Sequence, residues 1–256
     1  MALIYTDINQ AVLRNVPRGS LVLDIGCGTG ALGEKLKQKG CIVHGVEYSE
    51  DSAEIAKKKI DDVFVCDIEK ETPKLKSKYD ILIFADVLEH LRNPEEVLKK
   101  YLVFLKKDGL TIISLPNIAN WSIRMKLLFG NFNYTKTGIL DETHLHFYTI
   151  KSAKKMIENT ELIVEKIDIT PNFVRFFLEP IKKISSLFGV KGEEHEVHEQ
   201  LLNSHAFRIY ERAVLPFETS IAKLWKNLFA YQIVLVGRKK IERRQDGLVE
   251  IQQNIY

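Results

Sequence analysis

From Leu21 to Gly30 the chain reads Leu-Val-Leu-Asp-Ile-Gly-Cys-Gly-Thr-Gly, an apolar run that meets an acid and passes into three alternate glycines. Glycine lets a backbone turn sharply and approach a ligand where any Cβ would clash. A helical pattern begins at Ala31, so the free N–H groups of a helix start point into the same gap. This is a place for a nucleotide-like ligand. A second set, Asp86, Glu89 and His90, is spaced i, i+3 and i+4 and shares one face if the segment is helical. His144 and His146 share a face if the chain is extended there. Carboxylates and imidazoles in such sets suit proton transfer or a divalent metal.

The elements that carry these residues alternate between strand and helix. Short apolar runs at 21–25, 42–47, 63–66, 79–85 and 110–115 predict five strands. Helices are predicted over 5–15, from Ala31 to Gly40, over 51–60 and after Asn93. The helix after Asn93 carries its own signals: Asn93 at the N-cap, Pro94 in the first turn, Glu95 and Glu96 at the positive end of the dipole, Lys106 and Lys107 at the negative end. A helix near 150–159 and strands near 162–169 and 231–236 complete the pattern. Alternation of this kind predicts a doubly wound, mostly parallel α/β sheet with its ligand at the carboxyl ends of the strands. Asp24, Glu47, Asp67, Asp86 and Asn117 all fall at predicted strand ends, which favours one shared site. The stretch 117–148 shows no clear periodicity and reads as a lid or substrate loop.

Composition agrees with a globular enzyme-sized domain. The 256 residues are 45% hydrophobic and 28% charged, with a formal charge of +3. So small a charge, without a concentrated basic stripe, argues against a nucleic-acid partner. Cys27, Cys41 and Cys66 lack C-x-x-C spacing and read as reduced core thiols. No leader pattern and no run near the roughly 20 apolar residues of a membrane helix is evident, so a cytoplasmic location is expected. The domain is expected over 1–240, with a largely helical insertion at 172–228 and a polar, fraying tail at 241–256.

Gly28-x-Gly30-x-x-Gly33 formally fits a dinucleotide fingerprint. Asp24 just before the turn disfavours a pyrophosphate and suits an ammonium group instead. Glu47, about 20 residues beyond the turn, stands where a ribose-binding carboxylate belongs. A ribose, an adenine and a cationic amino-acid end are combined in S-adenosylmethionine.

Val22-Leu23-Asp24-Ile25-Gly26-Cys27-Gly28-Thr29-Gly30 resembles the first motif of class I S-adenosylmethionine-dependent methyltransferases almost letter for letter, and Phe84 to Leu91 is similar to their fourth-strand segment. The resemblance covers about residues 20–170. It implies a Rossmann-like seven-stranded sheet with an antiparallel last strand. It also implies cofactor contacts from Asp24, Gly26, Cys27, Gly28, Gly30, Glu47, Tyr48, Asp67, Ile68 and Asp86. Among these, Asp24 and the glycines hold the methionine end, Glu47 the ribose, Asp67 the adenine amino group, and Ile68 flanks the ring. The product is S-adenosylhomocysteine. Ser114 to Asn117 and Asp141 to His144 look like a subgroup containing the methionine-biosynthesis W protein and the ubiquinone-type O-methyltransferases.

Methyl transfer to oxygen needs alignment and a way to deprotonate the acceptor. His90, His144 and His146 are the candidate bases. Alternatively Asp86, Glu89, His90 and one of His144 or His146 bind a divalent metal, or Glu89 and His90 only orient their loop. An amine-methylating Asp/Asn-Pro-Pro-aromatic motif is not present after the fourth strand. The expected acceptor is a hydroxyl of a small molecule, a glycan or a lipid precursor. An RNA-end methyltransferase, a catalytically silent cofactor-binding or assembly protein and a nicotinamide-dependent oxidoreductase are the alternatives. An apolar stripe with cations over 173–188 suggests a lid, a homodimer contact or a peripheral membrane contact. His195 and His198 read as a solvated helix face.

Overall fold

The computed structural model describes residues 8–75, 77–171, 220, 222–240, 243–244 and 247–248. The expectations for 173–188, for His195 and His198, and for most of the 172–228 insertion lie outside these residues. Contacts group the chain into two compact units. One comprises Met1–Leu115, Lys151–Asp168 and Val234–Tyr256, the other Pro116–Ile150 and Ile169–Ile233.

The first unit is built on the expected alternation: α1 (Gln10–Asn15), β1 (Leu21–Ile25), α2 (Ala31–Gln38), β2 (Ile42–Glu47), α3 (Glu50–Ala56), β3 (Asp62–Val65), β4 (Tyr79–Ala85), α4 (Pro94–Leu102), β5 (Leu105–Pro116), α6 (Ile150–Glu158), β6 (Leu162–Pro171) and β7 (Ala230–Lys239). The sheet order is β3-β2-β1-β4-β5-β7-β6. Strands β1 to β5 pair in parallel, for instance Asp24 with Gly45 and with Ile83. β7 runs the other way: Arg238 reaches the Asp108 carbonyl and the Glu165 carboxylate, while Lys240 N–H donates to Glu161. Successive strands extend the sheet one way from β1 to β3 and the other way from β4. The strand order therefore reverses between β1 and β4, the kind of switch point at whose carboxyl ends doubly wound sheets bind their ligands.

Both faces are covered, which is why the strands read as continuous apolar runs. Val22, Val43, Ile81, Ile83 and Ile112 pack with Ala11, Val12, Leu36 and Ala53 of the helices. On α4, Tyr101 meets Phe84 edge to face with ring centroids 6.0 Å apart. Arg14 fastens α1 to β6 through two hydrogen bonds to buried Asp168, at 2.7 and 2.6 Å.

Several local expectations are corrected. Described helix near the start begins at Gln10, where Asn9 caps the N–H groups of Ala11 and Val12. α4 ends at Leu102, so Lys106 and Lys107 are strand residues, and Lys106 pairs with Asp80 at 2.8 Å. Asn93 makes no side-chain cap to α4. Glu69 instead holds the chain just before the helix, its Oε1 accepting from Arg92 N–H and Asn93 N–H. In the expected tail, β8 (Arg243–Arg244) and β9 (Gly247–Leu248) pair as a short antiparallel hairpin.

The second unit contains α5 (Trp121–Leu128) inside the stretch without periodicity, and α7 (Lys226–Phe229) before β7. α5 carries no apolar stripe that the sequence would show: Ile123 is buried, whereas Leu127, Leu128 and the following Phe129 are exposed. Ile123, Ile139 and Leu140 form a small core with Ile118, Phe147 and Tyr231. No described helix is long and apolar enough to cross a membrane.

Candidate functional site

Parallel pairing places the carboxyl ends of β1, β2, β3 and β4 along one edge of the first unit. Asp24, the glycine turn, Glu47, Tyr48, Asp67, Ile68 and Asp86 are therefore gathered at that edge by register alone. Gly26, Gly28 and Gly30 all have positive φ, at 75°, 54° and 75°. At Gly26 a Cβ would stand 2.4 Å from Val87 Cγ2, so this turn is closed by the segment after β4. At Gly28 a Cβ would meet nothing within 4 Å. The turn is thus packed at its first glycine and open at its second, which is the form a cradle for a ligand takes.

Asp24 is 2% exposed. Burial, reinforced by the nearby Glu47 charge, pushes its carboxyl up to about 7. A buried acid of this kind is stabilised in its charged form by a cation. The adjacent Cys27 thiol is pushed up by burial and by Asp24 and Glu47, so it remains protonated. Its Sγ packs against Gly45, where a Cβ would approach to 2.5 Å.

Glu47 connects two turns. One oxygen accepts from Gly28 N–H at 2.8 Å, the other from Ser49 N–H at 2.9 Å. Ser49 in turn caps α3 through Ser52 N–H. Tyr48 beside it is 72% exposed, leaving a ring face for a ligand. Asp67 Oδ1 accepts from Glu69 N–H, and its carboxylate pairs with Lys70 at 2.9 Å. The Lys70 partner holds the Asp67 carboxyl below the usual carboxylate range.

Among the described residues, Asp86 is the non-glycine residue with positive φ, at 55°. Its backbone N–H donates to the Ser114 carbonyl, and Ser114 Oγ donates to its carboxylate at 3.0 Å. Desolvation pushes the Asp86 carboxyl up to about 6, with the Ser114 bond pulling the other way. Only Leu88–His90 forms a helical turn, of the 3₁₀ type. The shared helical face expected of Asp86, Glu89 and His90 is therefore not formed: Asp86 stands before the turn in a different conformation. Glu89 is fully buried.

His144 and His146 belong to the second unit. The chain bends at Leu145 between them, and their rings take different aromatic neighbours, Phe147 and Tyr148. His144 Nδ1 lies 3.2 Å from the Ile139 carbonyl. Asn117, expected at the shared edge, is instead structural: it is 0% exposed, and its amide donates to the carbonyls of Asn227 and Ala230. Ser114 carries no ligand signal in its residue type alone. The signal is its position beside Asp86 on the neighbouring strand, known only once β4 and β5 pair Ala85 with Ser114.

Residues 4–167 match the family described as a methyltransferase domain. Relatives include a ubiquinone biosynthesis O-methyltransferase from Shewanella sp. strain ANA-3, 28% identical over 163 residues, covering 60% of this chain and 68% of the relative. Another of the same name from Coxiella burnetii is 35% identical over 106 residues, covering 39% of this chain and 45% of the relative. The chain thus spans about two thirds of one relative's length and under half of the other's. Among solved structures, a methyltransferase described as a possible histamine N-methyltransferase from Thermotoga maritima aligns with TM-score 0.55 at 20% identity, over 90% of this chain and 86% of that one. A magnesium protoporphyrin IX methyltransferase from Synechocystis with bound S-adenosylhomocysteine aligns with TM-score 0.52 at 16% identity, over 90% and 79%. At these identities the solved structures establish the fold.

Proposed function

Because the chain belongs to the methyltransferase-domain family and is an S-adenosylmethionine-dependent methyltransferase, we propose that it methylates an oxygen, a hydroxyl of a small molecule, a sugar or a lipid precursor. The observation that carries this reading is that relatives from two organisms are both named O-methyltransferases. The described unit fits the cofactor through an open glycine turn beside a buried acid.

In this reading Asp24 and the turn Gly26–Cys27–Gly28–Thr29–Gly30 take the methionine end, the acid facing its ammonium. Glu47 takes the ribose hydroxyls, with Tyr48 beside it, and Asp67 and Ile68 take the adenine. Asp86, held by Ser114, borders the reacting end. S-adenosylmethionine supplies a methyl carbon already activated by its sulfonium, and S-adenosylhomocysteine is the product. The protein's own work is alignment, exclusion of water and removal of the acceptor proton. His90, His144 and His146 are the candidate bases for that proton.

The test is a screen of hydroxyl acceptors with S-adenosylmethionine, read as S-adenosylhomocysteine formed. Turnover on phenolic, sugar or lipid-precursor hydroxyls supports the reading, and turnover confined to amines overturns it. The same assay addresses a divalent metal at Asp86, Glu89, His90 and one of His144 or His146. Loss of turnover both with EDTA and in Glu89→Ala supports that metal, and full chelator-resistant turnover removes it. Membrane contact through 173–188 predicts that the protein sediments with anionic liposomes and that removing this stretch releases it.

A further inference from the structure

The turn that follows β3 has an unusual support. β3 is the edge strand of the sheet, so the residues after it have a strand neighbour on one side only. Internally the turn is a single coil: Lys70 N–H and Glu71 N–H both donate to the Asp67 carbonyl, at 3.0 and 2.9 Å. It is also tied to α4 at both ends of that helix. From the last turn of α4, Lys100 Nζ donates to the carbonyls of Ile68 and Glu71. At the start of α4, Glu69 Oε1 accepts from Arg92 N–H at 2.8 Å and Asn93 N–H at 3.4 Å. α4 is itself a rigid anchor, since Val97, Leu98, Tyr101 and Leu102 are all buried.

We propose that Lys100 and Glu69 are positioning residues for the cofactor's adenine: α4, packed against β4, holds the Asp67–Glu71 turn in its binding shape. This rests on the placement of adenine at Asp67 and Ile68. The Lys100 ammonium has three donors, and two of them fix the backbone at Ile68 itself and at Glu71, whose N–H closes the coil onto the Asp67 carbonyl. A turn that must be ordered on binding weakens affinity by the fraction of time it is already ordered. If loss of the tie lowers that fraction to about a tenth, the apparent Kd rises about tenfold.

The test is calorimetry of S-adenosylhomocysteine on the full chain, with unfolding temperatures recorded in parallel. Lys100→Met keeps the stem and removes the donors, and is expected to weaken binding about tenfold. Lys100→Arg, which restores donors, is expected to recover most of it. Glu69→Ala, at an exposed position, gives a second and milder loss should the lysine variant fold poorly. S-inosylhomocysteine lacks the 6-amino group assigned to Asp67, so Lys100→Met should weaken it less than the adenosyl ligand. Unchanged affinity in both Lys100→Met and Glu69→Ala overturns the proposal. Equal loss of both ligands with a lowered unfolding temperature overturns it in favour of a purely structural tie. A wild-type chain that binds no S-adenosylhomocysteine sinks the cofactor reading itself. Wild-type binding that survives intact in Asp67→Ala sinks the adenine placement and the tether together.

Discussion

Glu47 Oε2 lies 2.8 Å from the Gly28 amide nitrogen, so the acid at the end of β2 holds the middle of the glycine turn at the end of β1. The carboxylate assigned to the ribose thus also fastens the turn assigned to the methionine end. Replacing it removes both functions at once.

Glu47→Ala should therefore lower S-adenosylmethionine affinity by more than the ribose contacts alone. Two backbone donors lose a charged acceptor, each such bond being worth about 1.5–3 kcal/mol. Glu47→Gln, which keeps one carbonyl oxygen, should retain part of the loss-sensitive affinity. Calorimetry on the pair separates the two, and equal affinities for wild type and Glu47→Ala would refute the assignment.

Asp24 predicts a pH dependence. Its carboxyl titrates near 7 when folded and near 4 when unfolded. The folded state binds more protons in that window, so the contribution to stability is intact below about pH 4 and lost as pH rises through 7. At pH 8 the buried charge costs on the order of 4 kcal/mol. Asp24→Asn should raise the unfolding temperature of the ligand-free protein at pH 8 and abolish tight cofactor binding. In the wild type, affinity for the cationic ligand should weaken as pH falls from 8 to 6. Chemical denaturation and calorimetry at the two pH values read both effects.

The glycines separate folding from binding. Gly26→Ala places a methyl 2.4 Å from Val87 Cγ2 at a φ of 75°, and should cost about 1–3 kcal/mol of stability. Val87→Ala should recover the steric part and leave the backbone part, which a double-mutant cycle isolates. Gly28→Ala meets nothing within 4 Å, so its stability cost should be about 1 kcal/mol, set by φ. Its cofactor affinity should nevertheless fall at least as far as that of Gly26→Ala.

Ser114→Ala removes the hydroxyl that favours ionised Asp86. Asp86 already titrates near 6, and without that bond its pKa rises. If ionised Asp86 is needed for turnover, the acid limb of the kcat/KM profile should move to higher pH. A profile that does not move would show that Asp86 does not control the reaction.

The positions of the strands and the cofactor edge were legible because a buried parallel strand leaves an unbroken apolar run and its end leaves an acid. β4 appears with its predicted bounds, and Asp24, Glu47 and Asp67 fall at their strand ends. These are local patterns, set by residues within a few positions of each other. α5 and the early end of α4 were not legible. α5 is held by a few contacts within its own unit, and Lys106 is drawn into β5, where it pairs with Asp80. Asn117 shows the same limit at the site: its type fits a ligand contact, but the carbonyls of Asn227 and Ala230, some 110 residues on, consume its amide. The sequence by itself determined the strand–helix alternation and the acids at the strand ends, which are short-range patterns, and its resemblance to class I methyltransferases supplied the full sheet and the methyl donor. Only the tertiary structure decided that Glu47 braces the turn, that Ser114 holds Asp86, and that Lys100 and Glu69 tie the turn after β3. Each of these bonds joins groups that the chain alone leaves 19 to 32 residues apart.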